Sequence, residues 1–234
     1  EYIRKSVKAF NLPSIELLNY EADDLIATYA KKITDAGAKV TVISSDKDLM
    51  QLVSNKIRLY DPMKSRIIGE KEVLEKFGVK PNQVIDVQSL AGDSSDNIPG
   101  VPGIGIKTAS ELINKYKNLD TLLKKASEIP QNKRRETLIE NKDKALLSRK
   151  LVTLKEDVPV KDDPSSFIIR EVNKDNLYNF LREMEFNRLL SSAISAYGEP
   201  NLSSINKDNK TKINSKEINK NKYYLITEIK EIDK

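Results

Sequence analysis

The sequence predicts an α/β fold whose second part is purely helical. Three observations carry that reading: a β-branched run at residues 39–43 ending in a polar turn, a helical pattern directly after it, and almost unbroken helical patterns from Gly92 onward. Strand, turn and helix in that order imply a partial parallel-type sheet with helices packed on it. With 234 residues, 38% of them hydrophobic, the chain can bury a core unaided.

Residues 2–10 and 21–32 carry apolar side chains at helical spacing; in the second, Asp24, Leu25, Thr28, Tyr29 and Lys32 mark where polar and apolar faces divide. The strand at 39–43 closes on Ser44, Ser45 and Asp46, after which residues 48–53 read as a helix and 57–60 as a second strand. A helix at 70–77 is stopped by Gly78, and Pro81 opens a helix at 82–90 that Gly92 ends. Further helices are predicted over 107–116, 119–127, 132–150, 173–186 and 188–197, with no internal repeat.

From 201 to 222 the composition changes: 12 of 22 residues are Asn or Lys, and the only long apolar side chains are Leu202, Ile205, Ile213 and Ile218. Such a segment is too polar to offset the entropy of ordering it and reads as a linker. Residues 223–227 then form a β-type run, followed by a helix start. The predicted organisation is thus an α/β part at 1–97, a helical part at 98–200, a linker at 201–222 and the opening of a following domain at 223–234.

The chain contains no Cys, no His and no Trp. Thiolate nucleophiles, Ser-His-Asp triads and zinc fingers are excluded, and any bound metal must sit on oxygen ligands. The formal net charge of +5 is uneven, about −1 over residues 1–100 and +6 over the rest. Lys124-Lys125, Lys133-Arg134-Arg135 and Arg149-Lys150 would suit a polyanion, although taken alone a solvated helix face is the better explanation of each. No stretch approaches the roughly 20 apolar residues of a membrane span, and residues 1–8 are charged rather than signal-like, so a soluble chain is expected; the absence of Cys fits a reducing, cytoplasmic location, and a monomer is a separate expectation.

The acidic residues of the first part are clustered. Glu21, Asp23 and Asp24 stand at the opening of a helix, where Glu21 and Asp24 share a face; the helix macrodipole alone could favour them. Asp46 and Asp48 follow the carboxyl end of a strand, where open α/β sheets bind ligands. A helix cap would account for Asp46 but not for Asp48. Asp93 and Asp96 lie in a polar turn between helices, and their spacing could share a hard cation. Seven carboxylates in three groups would repel one another unless cations held them. Mg²⁺ or Mn²⁺ on Asp, Glu and water, two ions to a site, is the arrangement for in-line phosphoryl displacement, so phosphodiester hydrolysis is the leading expectation.

Directly after the third group comes a glycine loop from Asn97 to Ala109 that leads into a helix. Gly103 and Gly105 permit tight turns, and N–H groups at a helix start can point at a phosphate. A P-loop is excluded because Ile106 separates Gly105 from Lys107, and a dinucleotide fingerprint because Thr108 stands where its third glycine belongs. What remains is a hairpin between helices that holds a nucleic-acid backbone, with Lys107 as a point charge, or else a plain helix-to-helix turn.

In this order, Glu21-Ala-Asp23-Asp24, Ser45-Asp46-Lys-Asp48-Leu-Met-Gln-Leu and Gly92-Asp93-Ser-Ser-Asp96-Asn97-Ile-Pro-Gly-Val-Pro-Gly103-Ile-Gly105, the motifs closely resemble the flap-endonuclease-like 5′ to 3′ exonuclease domains of bacterial DNA polymerase I, from about residue 2 to about residue 197. The resemblance implies a resolvase/PIN-like nuclease core followed by a helix-hairpin-helix subdomain. It implies that Glu21, Asp23, Asp24, Asp46, Asp48, Asp93 and Asp96 bind divalent ions, with Asp24, Asp46 and Asp93 catalytic. It places Gly100, Gly103, Ile104, Gly105, Lys107 and Thr108 in the hairpin on DNA, with K⁺ as a further ion. The implied substrates are 5′-flap, nicked or RNA-primer-containing duplexes, and the implied partners are downstream polymerase and proofreading-exonuclease-like domains in the same polypeptide. Members of the family carry, upstream of the matched region, a strand with another metal-binding Asp and a helical arch. Without them this chain alone is expected to cleave DNA weakly or not at all, the alternative being a non-catalytic, structure-specific DNA-binding segment.

Overall fold

The computed structural model describes residues 1–200; the predicted linker and following domain start lie outside the described residues. The chain divides into two units, Ile15–Ile168, and Glu1–Ser14 with the chain from Ile169 onward.

The Ile15–Ile168 unit opens with the helix Ala22–Asp35, which buries Leu25, Ala27, Thr28, Tyr29 and Ala30 on one face. We number helices in chain order, so this is α2 and Tyr2–Ala9 is α1. Strand β1 (Val40–Ile43) pairs in parallel with β2 (Ile57–Asp61), Val40 opposite Ile57 and Ile43 opposite Tyr60. A short strand β3 (Arg66–Ile68), absent from the sequence expectation, pairs antiparallel with β2, so the three-stranded sheet is mixed. Its hairpin is set by Asp61, whose buried carboxylate accepts the N–H groups of Met63 and Lys64 at 3.0 and 3.2 Å, with Ser65 in the left-handed region at φ 49°. These turn contacts, more than strand propensity, create β3.

After β1 the chain makes a 3₁₀ helix, Asp48–Leu52, rather than a full α-helix. Helix α3 (Glu70–Phe77) ends where predicted, on Gly78 at φ 69°. A 3₁₀ turn at Pro81–Gln83 leads into α4 (Val84–Ala91), then come α5 (Ile106–Tyr116) and α6 (Leu119–Lys124). The predicted helix 132–150 is two helices, α7 (Asn132–Glu140) and α8 (Lys142–Val152). Asn141 divides them: its side-chain amide and its own N–H both donate to the Thr137 carbonyl, at 2.9 and 3.0 Å, and its ψ leaves the helical range.

Helix α4 lies at the centre of this unit, packed against α5 and α8. One hydrophobic core runs from Val42, Leu49 and Leu59 in the α/β part through Val84, Val87 and Leu90 to Ile113, Leu122 and Leu138 in the helical part. The change from strand-containing to helical structure near residue 97 therefore occurs inside a single core.

In the other unit, α1 packs against α9 (Lys174–Glu183), and α9 against α10 (Asn187–Tyr197). Its small core holds Ala9, Leu177, Tyr178, Leu181 and Ala193.

Candidate metal centre and hairpin

Three short elements bring the acidic groups together. At the end of β1, Asp46 N–H donates to Ser44 Oγ at 3.0 Å and Asp46 Oδ1 accepts Asp48 N–H at 2.9 Å, which fixes both aspartates at the start of the 3₁₀ helix. At the end of α4, Gly92 turns the chain and Asp93 pairs with Ile98 through two backbone hydrogen bonds of 2.9 and 2.8 Å. That closes a tight loop with Asn97 at φ 57° and Asp96 at its exposed tip. Carboxylate oxygens of Asp48, Asp93 and Asp96 come within 4.8 Å of one another. Ligand oxygens on opposite sides of one small divalent cation stand about 4 to 5 Å apart, so this donor set fits such an ion.

Asp23, in the first turn of α2, lies close to Asp46 and Asp48. Half-buried, and repelled by Asp46, Asp48, Glu21 and Asp24, its carboxyl is pushed up to about 6. Burial likewise raises Asp48, against the hydrogen bond from Gln88 that favours its ionised form. Asp93 moves the other way, because the Lys47 ammonium and the Ser95 hydroxyl and N–H hold its charged form. Glu21 sits at the N-cap of α2 without using its side chain to cap it, which leaves that carboxylate exposed.

Asp24 also makes a tertiary contact. Its Oδ1 accepts the N–H of Lys155 at 2.9 Å, one helical turn before Thr28, whose hydroxyl donates to the Lys155 carbonyl and accepts the Val158 N–H, both at 3.1 Å. These bonds fasten α2 to residues 155–158 and so orient Asp23.

Two residues escaped the sequence reading. Lys47 forms the ion pair with Asp93, and Gln88 donates through Nε2 to Asp48 Oδ1. Gln88 is 3% exposed and its Oε1 is buried without a hydrogen-bond partner among the described residues. An amide set among Val84, Val87 and Leu90 was the available signal, since a buried polar side chain needs a reason.

The hairpin residues separate by burial. Gly100 is buried at φ 57° and its N–H donates to the buried Ser148 Oγ at 2.9 Å; a Cβ there would stand 2.5 Å from Gly92 N. Ile104 is in the core. Gly103, Gly105 and Lys107 are exposed, Thr108 is half-buried, and Gly105 is the N-cap of α5. The accessible face of the hairpin is thus Gly103, Gly105, Lys107 and Thr108, carried on Gly100 and Ile104.

Residues 1–78 match the family model of the 5′-3′ exonuclease N-terminal resolvase-like domain, and residues 79–175 that of the 5′-3′ exonuclease C-terminal SAM fold. The chain belongs to the 5′-3′ exonuclease family. Among its relatives, the DNA polymerase I of Rhizobium leguminosarum is 53% identical over 187 residues, covering 80% of this chain and 18% of the relative. The 5′-3′ exonuclease of Aquifex aeolicus is 36% identical over 188 residues, covering 80% of this chain and 64% of the relative. The chain therefore spans about a fifth of the polymerase and under two thirds of the separate exonuclease. A mutant of the bacteriophage T5 5′-exonuclease superposes with a TM-score of 0.57 at 25% identity, over 74% of this chain and 69% of that one. The catalytic core of Rad2, solved in complex with a DNA substrate, shares the fold with a TM-score of 0.56 at 16% identity, over 83% of this chain and 67% of that one. Other structures of the T5 enzyme carry divalent zinc, or DNA and metal ions. Among the described residues no helix is long and apolar enough to cross a membrane.

Proposed function

We propose that the protein containing this chain is a divalent-metal-dependent 5′ to 3′ exonuclease and 5′-flap endonuclease, which hydrolyses DNA and RNA-primer phosphodiesters at flaps, nicks and primer junctions. The observation that carries the reading is the convergence of Asp48, Asp93 and Asp96 within 4.8 Å, with Asp23 pressed against the same charge. Glu21, Asp23, Asp24, Asp46, Asp48, Asp93 and Asp96 are the residues to hold two Mg²⁺ or Mn²⁺ ions, and Asp24 also fastens α2 to residues 155–158. Bound ions of this kind polarise a phosphate and make water a competent nucleophile near neutral pH.

The chain's own side chains do the rest. Lys47 holds the Asp93 carboxylate in its charged form, and Gln88 fixes the direction of Asp48. Gly103, Gly105, Lys107 and Thr108 present backbone N–H groups and one cation to the duplex backbone, a grip that is independent of sequence and weakens with salt. K⁺ at this hairpin, further polymerase domains on the same polypeptide, a monomeric state and a cytoplasmic site of action belong to the same proposal.

The test is a fluorescent 5′-flap duplex incubated with the chain and Mg²⁺, Mn²⁺ or EDTA, beside Asp93→Asn, together with melting curves. Support comes from a Mn²⁺-induced rise in melting temperature and from cleavage or tight flap binding by the parent, with the metal effects lost in Asp93→Asn. A melting temperature indifferent to divalent ions and no binding to the flap would overturn it.

A further inference from the structure

The carboxylates of the candidate metal centre already face a cation of the chain itself. Lys47 stands between Asp46 and Asp48 in the turn after β1, and its ammonium pairs with Oδ2 of Asp93 on the loop after α4. Asp93 Oδ1 is taken up by the Ser95 N–H at 3.0 Å and by the Ser95 hydroxyl, so among the described residues Oδ2 has Lys47 as its partner. The acid is enclosed and the lysine is not: side-chain exposure is 7% for Asp93 and 36% for Lys47. Asp48, Asp93 and Asp96, whose oxygens come within 4.8 Å of one another, are also the three acids that attract the ammonium. One cluster thus serves two cations. A small divalent ion needs near-octahedral oxygen ligands at about 2.1 Å, and an ammonium on one of those oxygens would stand a few ångströms from it, where like charges repel.

We propose that Lys47 is the built-in counter-ion of this site: its ammonium neutralises Asp93 while no divalent ion is bound and withdraws when one enters. The assignment rests on the metal-binding reading above and adds what controls occupancy of the site. Withdrawal needs no movement of the ligands. The turn is fixed by Asp46 Oδ1, which accepts the Asp48 N–H at 2.9 Å, and the Asp93 loop by its two backbone bonds to Ile98, so rotation about the lysine's own side-chain bonds is enough. The partly exposed stem has solvent to turn into. The ion therefore binds against a tethered competitor whose effective concentration is fixed by the turn. Removing that competitor should tighten ion binding, whereas a lysine that only holds Asp93 in position would, on removal, loosen it.

The experiment is a calorimetric titration of the 234-residue chain with Mn²⁺ and Mg²⁺ at constant ionic strength, for the parent and for Lys47→Met, which keeps an unbranched stem without the charge. Lys47→Met is expected to bind the ions about tenfold more tightly, and to melt lower than the parent in EDTA because Asp93 then lacks its partner. A second measurement uses the unsubstituted chain. In NMR spectra of isotope-labelled lysine side chains, with the Lys47 signal identified by its loss in Lys47→Arg, the ammonium should pass from restrained to freely mobile as Mg²⁺ saturates the site. Equal or weaker binding by a folded Lys47→Met would overturn the inference, and so would a Lys47 signal that stays restrained at saturating Mg²⁺. A parent that binds neither ion would instead overturn the metal reading on which the inference stands.

Discussion

At neutral pH the Asp23 carboxylate must be ionised among four neighbours of the same sign, and in the absence of cations folding bears that cost. Its folded pKa of about 6 lies above the ordinary value of 3.8, so between those two pH values the native state keeps a proton that the unfolded chain has lost. Stability from this group is therefore greatest below pH 4, falls as pH rises toward 6, and stays low above it. In EDTA at pH 7, Asp23→Asn is expected to melt roughly 2 to 4 °C higher than the parent, a modest figure because the group is partly solvated, and the gain should vanish at pH 4. A variant melting lower than the parent at pH 7 would refute this. The partner at the other side of the site is Gln88. Replacing it with Leu keeps the volume but frees Asp48, and calorimetric titration should show Mn²⁺ affinity falling about tenfold while the melting temperature in EDTA changes little. Unchanged affinity would leave Gln88 with a packing role only.

Helix ends, rather than helix bodies, place the chemistry. The start of α2, the turn after β1 and the loop after α4 each contribute carboxylates, and the loop after α4 depends on two glycines in mutual contact. Gly100→Ala should cost roughly 3 kcal/mol or more in urea denaturation, since its Cβ would collide with the Gly92 backbone. Gly103→Ala, with a similar positive φ but open space, should cost about 1 kcal/mol. Equal losses would show that strain alone, and not the Gly92 contact, sets the cost. These elements also show what could be read in advance. The two parallel strands and the helix closed by Gly78 follow local rules of β-branching and left-handed stop, and the structure has them. Strand β3 and the break at Asn141 do not, because a turn carboxylate in one case and a side-chain amide in the other compete with the regular pattern. At the site, residue type and spacing exposed the acidic groups. Which of them converge was decided by tertiary contacts: Asp48 reaches Asp93 and Asp96 across some 45 residues, while Asp24 also accepts the Lys155 N–H.

The two units have separate cores, and all seven carboxylates belong to the Ile15–Ile168 unit. Scanning calorimetry of the chain should therefore resolve two transitions, of which Mn²⁺ raises one. At a hundredfold excess over its dissociation constant an ion adds about 2.7 kcal/mol, or roughly 5 to 10 °C for a domain of this size. Equal shifts in both transitions, or none, would contradict that division. The smaller unit has a further property, which concerns time. Its helix α1 comes from the beginning of the chain and α9 and α10 from beyond residue 173, joined by bonds such as Asn11 Nδ2 to the Glu171 carbonyl at 2.9 Å. During synthesis at about 5 to 20 residues per second, α1 leaves the ribosome some 10 to 30 s before its partners exist. The larger unit can collapse in that interval, and its neighbour is completed after it.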